Sequence, residues 1–124
     1  MRPVPTVLIG LRASRFRDRM ETWVEALGYA TCVTDVGREA VAWATDRPRA
    51  ISFVDRGLER LDGEEVWRVV RRVVGHRLVL MAEYRSKELW CEALSAGIGS
   101  LLPLPTEREV VVAALNSLGV AEGR

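Results

Sequence analysis

The chain has 124 residues, 48% of them hydrophobic and 28% charged, with a formal net charge of +1. That length fits one domain, and burial of roughly two thirds of the unfolded surface is enough for a stable core. The composition excludes a mainly disordered chain, and the near-zero charge gives no global electrostatic case for nucleic acid or acidic membranes. No apolar run reaches the ~18 residues that a membrane span needs, and no signal-peptide pattern opens the chain. The expectation is a cytoplasmic domain with no nucleic-acid or membrane partner.

Short apolar runs alternate with longer amphipathic segments. TVLIGL (6–11) has the length of a buried strand. RFRDRMETWVEALG (15–28) carries Phe16, Met20, Trp23, Val24 and Leu27 at helical spacing, with Gly28 as a stop. YATCVT (29–34) reads as a strand, GREAVAWATDR (37–47) as a helix ended by Pro48, AISFV (50–54) as the third strand and GEEVWRVVRRVV (63–74) as the third helix. RLVLMA (77–82) and SKELWCEALSAG (86–97) repeat the pattern, with Ser86 as the predicted N-cap. SLLPL (100–104) is a short fifth strand, and TEREVVVAALNSL (106–118) a fifth helix with Thr106 and Glu109 spaced as a capping box. Five strands alternating with five helices predict a doubly wound α/β domain over residues 6–119, flanked by an N-terminal tail at 1–5 and a C-terminal tail or linker start at 120–124. In such folds the functional site lies beyond the carboxyl ends of the strands. Leu11, Arg12 and Asp55 are expected there.

Other residues carry weaker signals. Lys87 is the only lysine, so the positive charge is nearly all arginine, which fits a GC-rich coding bias. Cys32 and Cys91 lack metal-ligand spacing and read as buried thiols. His76 beside Gly75 reads as a loop residue. Arg68, Arg71 and Arg72 fall on one side of the third helix, where an acidic partner would fit. Four tryptophans fall one per helix, with Trp23 and Trp43 expected against the sheet and Trp90 a candidate for exposure.

Several stretches together resemble the response-regulator receiver domain, across residues 6–118. ETWVEALGYATCVTDVGREAV is similar to its first helix, turn, second strand and second-helix start. RPRAISFVD resembles the lead-in to its third strand, with Arg49 in place of an Asp. DRGLERLDGEE places Gly63 eight residues after Asp55, as the family's loop does, with Glu59 in place of a Pro. ALSAGIGSLLPLP is similar to the family's fifth-strand approach. The resemblance implies a flavodoxin-like (CheY-like) five-stranded parallel sheet in the order 2-1-3-4-5, with Asp55 as the equivalent of the phosphoacceptor and a cis bond before Pro105.

The resemblance also shows what is missing. Phosphoryl transfer to an aspartate needs charge neutralisation, normally by Mg²⁺ in oxygen ligands. The two positions that should hold the metal-binding acids are Leu11 and Arg12. The switch hydroxyl is replaced by Met81 and the lysine before Pro105 by Leu104. The degenerate pocket of Leu11, Arg12, Met81, Leu104 and Pro105 implies a pseudo-receiver with no catalytic residue, cofactor or metal. Asp55 is then expected to be paired with Arg12.

The implied role is a phosphorylation-independent protein–protein interaction module of two-component signal transduction. Its partner would be a signalling or regulatory protein or a second copy of itself. Trp90, Leu101, Val110 and Val111 form the expected partner face. One alternative is a working receiver phosphorylated on Asp55 by a histidine kinase. Another is a binding domain whose rim of Arg12, Arg56 and Arg85 takes a small anion. An enzyme is disfavoured, because the rim offers no nucleophile–base pair and no Gly-rich phosphate loop.

Overall fold

The computed structural model describes residues 5–73, 75–83, 86–95 and 100–122. Along the chain run β1 (Thr6–Gly10), α1 (Arg15–Ala26), β2 (Ala30–Thr34), α2 (Gly37–Asp46), β3 (Ile51–Asp55), α3 (Val66–Arg71), β4 (Arg77–Ala82), α4 (Lys87–Ser95), β5 (Leu101–Pro103) and α5 (Arg108–Glu122). All strand pairings are parallel, in the order β2-β1-β3-β4-β5. This is the flavodoxin-like order expected from the sequence.

Alternation along the central strands sends side chains into two cores. Leu8, Val54, Leu78 and Leu80 meet α2, α3 and α4 through Trp43, Trp67, Val70 and Leu89. Val7, Ile9, Phe53 and Val79 meet α1 and α5 through Met20, Val24, Val111 and Leu115. Burial on both faces explains why these strands read as continuous apolar runs. Gly37 lets α2 approach α3, since a Cβ there would collide with Val66.

Helix ends follow local chemistry. The Ser14 side chain accepts from the Arg17 N–H at 3.0 Å and opens α1, and Gly28 closes that turn with φ +96°. The Ser86 hydroxyl accepts from the Leu89 N–H at 3.0 Å, as an N-cap should. Two expectations fail. The third helix does not begin at residue 63, because Leu61 and Glu64 exchange backbone hydrogen bonds across a turn that holds Asp62 and Gly63 at positive φ. It therefore spans only Val66–Arg71. The fifth helix opens at Arg108, one residue too late for Thr106 to be its N-cap, and continues to Glu122.

The thiols differ from expectation too. Cys91 is exposed, since α4 buries Leu89 and Ala93 instead, and Cys32 is half-buried on β2, an edge strand of the sheet. Burial still pushes the Cys32 thiol pKa up. The arginines of α3 are not a free basic patch. Arg68 pairs with Glu65 and Glu92, and its guanidinium lies over the Trp67 ring. Arg72 pairs with Glu64. Among the described residues, no helix is long and apolar enough to cross a membrane.

His76 lies between α3 and β4, as a loop residue, yet it is half-buried. Its Nε2 contacts the hydroxyl of fully buried Ser52, and its ring packs edge-on against Trp43. Burial lowers its pKa below the ordinary 6.5, while the nearby carbonyls of Pro48 and Arg47 oppose that shift and Arg77 adds to it. A histidine whose folded pKa is depressed stabilises the fold above its unfolded pKa, and that stability is lost as pH falls. Unfolding free energy should therefore decline below pH ~6.5, by at most about 1.4 kcal/mol per pH unit for one proton. Urea denaturation of wild type and His76→Gln across this range checks it, the variant lacking this component of the decline.

Candidate functional site

The sheet order brings the carboxyl ends of β1, β3 and β4 side by side. Asp55, the last residue of β3, pairs in register with Met81 of β4, and Arg12 follows two residues after β1 ends. Asp55 is 1% exposed, so its carboxylate must find donors within the protein. It finds four. Oδ2 accepts from the Arg12 side-chain Nε at 2.8 Å and from the Arg12 backbone N–H at 3.3 Å. Oδ1 accepts from Arg12 Nη2 at 3.2 Å and from the Gly57 N–H at 2.7 Å. The side-chain contacts form the two-pronged fork that a guanidinium makes and an ammonium cannot. Hydrogen bonding to Asp55 raises the Arg12 pKa above its ordinary value.

Arg12 also reaches a second acid. Its Nη2 donates to Glu83 Oε1 at 3.1 Å, across exposures of 49% and 67%. Glu83 was not singled out in the sequence. Its signal was its place directly after β4, since the inferred strand order already set that strand end beside Asp55. Gly57 was also missed. The Arg12 guanidinium lies over its α-carbon, where a Cβ would overlap it.

The remaining expected residues separate into two groups. Leu104 and Pro105 line a cleft of about 700 Å³ together with Arg12, Arg15, Phe16, Asp55 and Glu83. The peptide bond between Leu104 and Pro105 is cis, as expected. Leu11 and Met81 do not line that cleft; both are fully buried in the core under α1 and α5. Arg56 does not line it either, and pairs with Glu65 at 3.7 Å. Arg85 lies outside the described residues.

Of the expected partner face, Trp90 is 44% exposed and Val110 half-buried. Leu101 and Val111 require correction. Both are buried, Leu101 against the α2–α4 core and Val111 against α1 and the sheet. Leu94, 50% exposed and one helical turn after Trp90, takes their place as an outward apolar side chain. Trp43 and Trp67 are buried and Trp23 is half-buried.

A divalent cation does not fit this donor set. Among the described residues, no group of three or more His, Cys, Asp or Glu side chains could hold a metal. Asp55, the one buried carboxylate among the described residues, already accepts four hydrogen bonds, and the Arg12 guanidinium sits against it.

No protein-family model matches the chain, and no curated protein matches it. Solved structures do. The chain is similar to a CheY-like response regulator receiver domain protein from Methanospirillum hungatei JF-1, with a TM-score of 0.79 at 16% identity, covering 98% of both chains. It is similar to the signal receiver domain of the putative response regulator NarL from Mycobacterium tuberculosis, with a TM-score of 0.77 at 22% identity, covering 98% of this chain and 100% of that one. A signal receiver domain of an HD domain-containing protein from Pseudomonas fluorescens Pf-5 matches at 0.79 with 14% identity, covering 98% of each. The fold is that of CheY-like receiver domains.

The geometry at Gly57 gives an unusual expectation. Gly57 is exposed with no positive φ, so alanine there should be harmless unless it displaces Arg12. Gly57→Ala is expected to cost about 1–2 kcal/mol, within the range for disrupting a buried charged network. In an Arg12→Ala background the same change should be neutral within about 0.5 kcal/mol. Urea denaturation of the two single variants and the double variant measures both.

Proposed function

We propose that this chain is a receiver-type signalling domain that works without phosphorylation, as a protein–protein interaction module. The observation that carries this reading is the Arg12 fork on Asp55, which puts a permanent cation where a receiver would recruit Mg²⁺. A phosphoryl group arriving at Asp55 would have to displace that fork, with no acid pair at Leu11 and Arg12 to hold a metal. With Met81 buried and an alkyl side chain at Leu104, the cleft lacks the hydroxyl and ammonium that would read out a new charge. This weighs against the reading in which a histidine kinase phosphorylates Asp55.

The anion-binding alternative draws less support. Arg12 and Arg56 are each paired with a carboxylate, and of these two Arg12 alone borders the cleft. Enzymatic activity has no support either. The contact between Ser52 and His76 is closed to substrate, because Ser52 is fully buried.

Trp90 and Leu94 supply the interaction surface in this reading. They present two large apolar side chains on the outer side of α4, where other exposed residues are polar or small. Exposed apolar side chains that adjoin one another fit a protein contact. The partner is a signalling or regulatory protein, or a second copy of the chain.

Adding Mg²⁺ and beryllofluoride, a phosphoryl mimic, should leave the ¹H–¹⁵N spectrum of the protein unchanged. Saturable changes centred on Asp55 and Gly57 would contradict the proposal and favour a working receiver.

A further inference from the structure

A second cleft opens at the amino ends of the strands, on the opposite edge of the sheet from Asp55. Because β1 and β3 pair in parallel, with Val7 opposite Ile51, the segments that enter both strands lie side by side. The turn after α2 brings Arg47, Pro48 and Arg49 to that edge, and the turn after α1 brings Tyr29. With Pro5 these residues border a cleft of about 410 Å³, a volume in the range of small-molecule sites.

Backbone hydrogen bonds hold its walls. The Ala30 N–H donates to the Pro5 carbonyl at 2.9 Å, which fixes the Tyr29 turn beside β1. The Ala50 N–H donates to the Arg47 carbonyl at 3.0 Å and closes the turn after α2. From β4, the Arg77 N–H donates to the Ala50 carbonyl at 3.2 Å, and its guanidinium donates to the Arg49 carbonyl. Turns tied in this way shape the cleft before any ligand arrives, which lowers the ordering cost of binding.

The lining divides into an apolar floor and a cationic border. Val7 and Ile51 are buried, and Tyr29, Pro5 and Pro48 add ring surfaces that suit a flat apolar body. Among the described residues, no Asp or Glu lines the cleft. Arg47 and Arg49 are exposed, and among the described residues neither forms an ion pair with a carboxylate. Arg12, Arg56, Arg68 and Arg72 are each held by an acid. An arginine so held must give up a partner to take an anion, whereas Arg47 and Arg49 need not. The Arg47 guanidinium lies 5.0 Å from the centre of the Trp43 ring, a contact that steadies the cation without neutralising it.

We propose that this cleft binds a small planar organic anion, of the aromatic carboxylate class. Its ring lies on Val7, Ile51 and Tyr29, and its acidic group is met by Arg47 and Arg49, since guanidinium groups suit carboxylates. The site shares no residue with the Asp55 cleft or with Trp90 and Leu94, so it stands or falls apart from the interaction role.

The test titrates 1-naphthoate into the ¹⁵N-labelled protein and follows the backbone amides of Val7, Tyr29, Ala50 and Ile51. Saturable shifts at these residues are expected. The neutral analogue 1-naphthalenemethanol should bind at least about tenfold more weakly, the order that a charge-assisted hydrogen bond supplies. Arg47→Gln/Arg49→Gln should weaken 1-naphthoate binding by a similar factor. Arg19→Gln, which removes an exposed cation of α1, should leave the affinity unchanged. The comparison of acid with alcohol uses wild type, so it decides the charge requirement even if the double variant fails to fold. Absence of saturable shifts at the cleft, or shifts centred on Trp90 and Leu94 instead, would overturn the site. Equal affinity for the alcohol, or an affinity untouched by loss of both arginines, would do so too.

Discussion

The charge pair between Arg12 and Asp55 is the constraint on which the carboxyl end of this sheet is built. A carboxylate 1% exposed at the end of a central strand is tolerable only with its lone pairs filled and its charge matched. A tethered guanidinium meets that need from within the chain. The fork also needs room, which Gly57 provides by having no Cβ where the guanidinium crosses.

The residues around the site fit a carboxylate that is neutralised by the chain's own arginine. The cation that neutralises Asp55 is part of the loop after β1, so the site is charge-matched without a further acid at positions 11 and 12. Leu11 joins the core beneath α1 and α5 instead. Met81 does the same from β4, and Leu104 packs along the margin of that core. Leu11, Met81 and Leu104 are therefore packing residues in this fold.

Much of this was legible in the sequence, because the strands are buried on both faces and the helices carry clear apolar stripes. Element order, sheet order and the pairing of Arg12 with Asp55 followed from spacing and from the resemblance to receivers. What escaped depended on geometry that spacing does not encode. Glu83 lies 71 positions from Arg12 along the chain, and only the side-by-side ends of β1, β3 and β4 bring them together. Leu101 and Val111 looked like surface candidates because an apolar residue near a helix or strand end does not declare which side it faces. The shortness of α3 arose from Asp62, whose positive φ is uncommon for a residue other than glycine. The exposure of Cys91 had the opposite cause: an apolar helical run was wider than the stripe that α4 buries.

The central claim is that Arg12 and Asp55 are energetically coupled, with the guanidinium acting as the site's own cation. A double-mutant cycle built from Arg12→Ala, Asp55→Ala and the double variant measures that coupling by urea denaturation. The account predicts a favourable interaction of at least about 1 kcal/mol, in the range seen for residues that share a charged network. Effects that add within about 0.3–0.5 kcal/mol, as for independent sites, would contradict it.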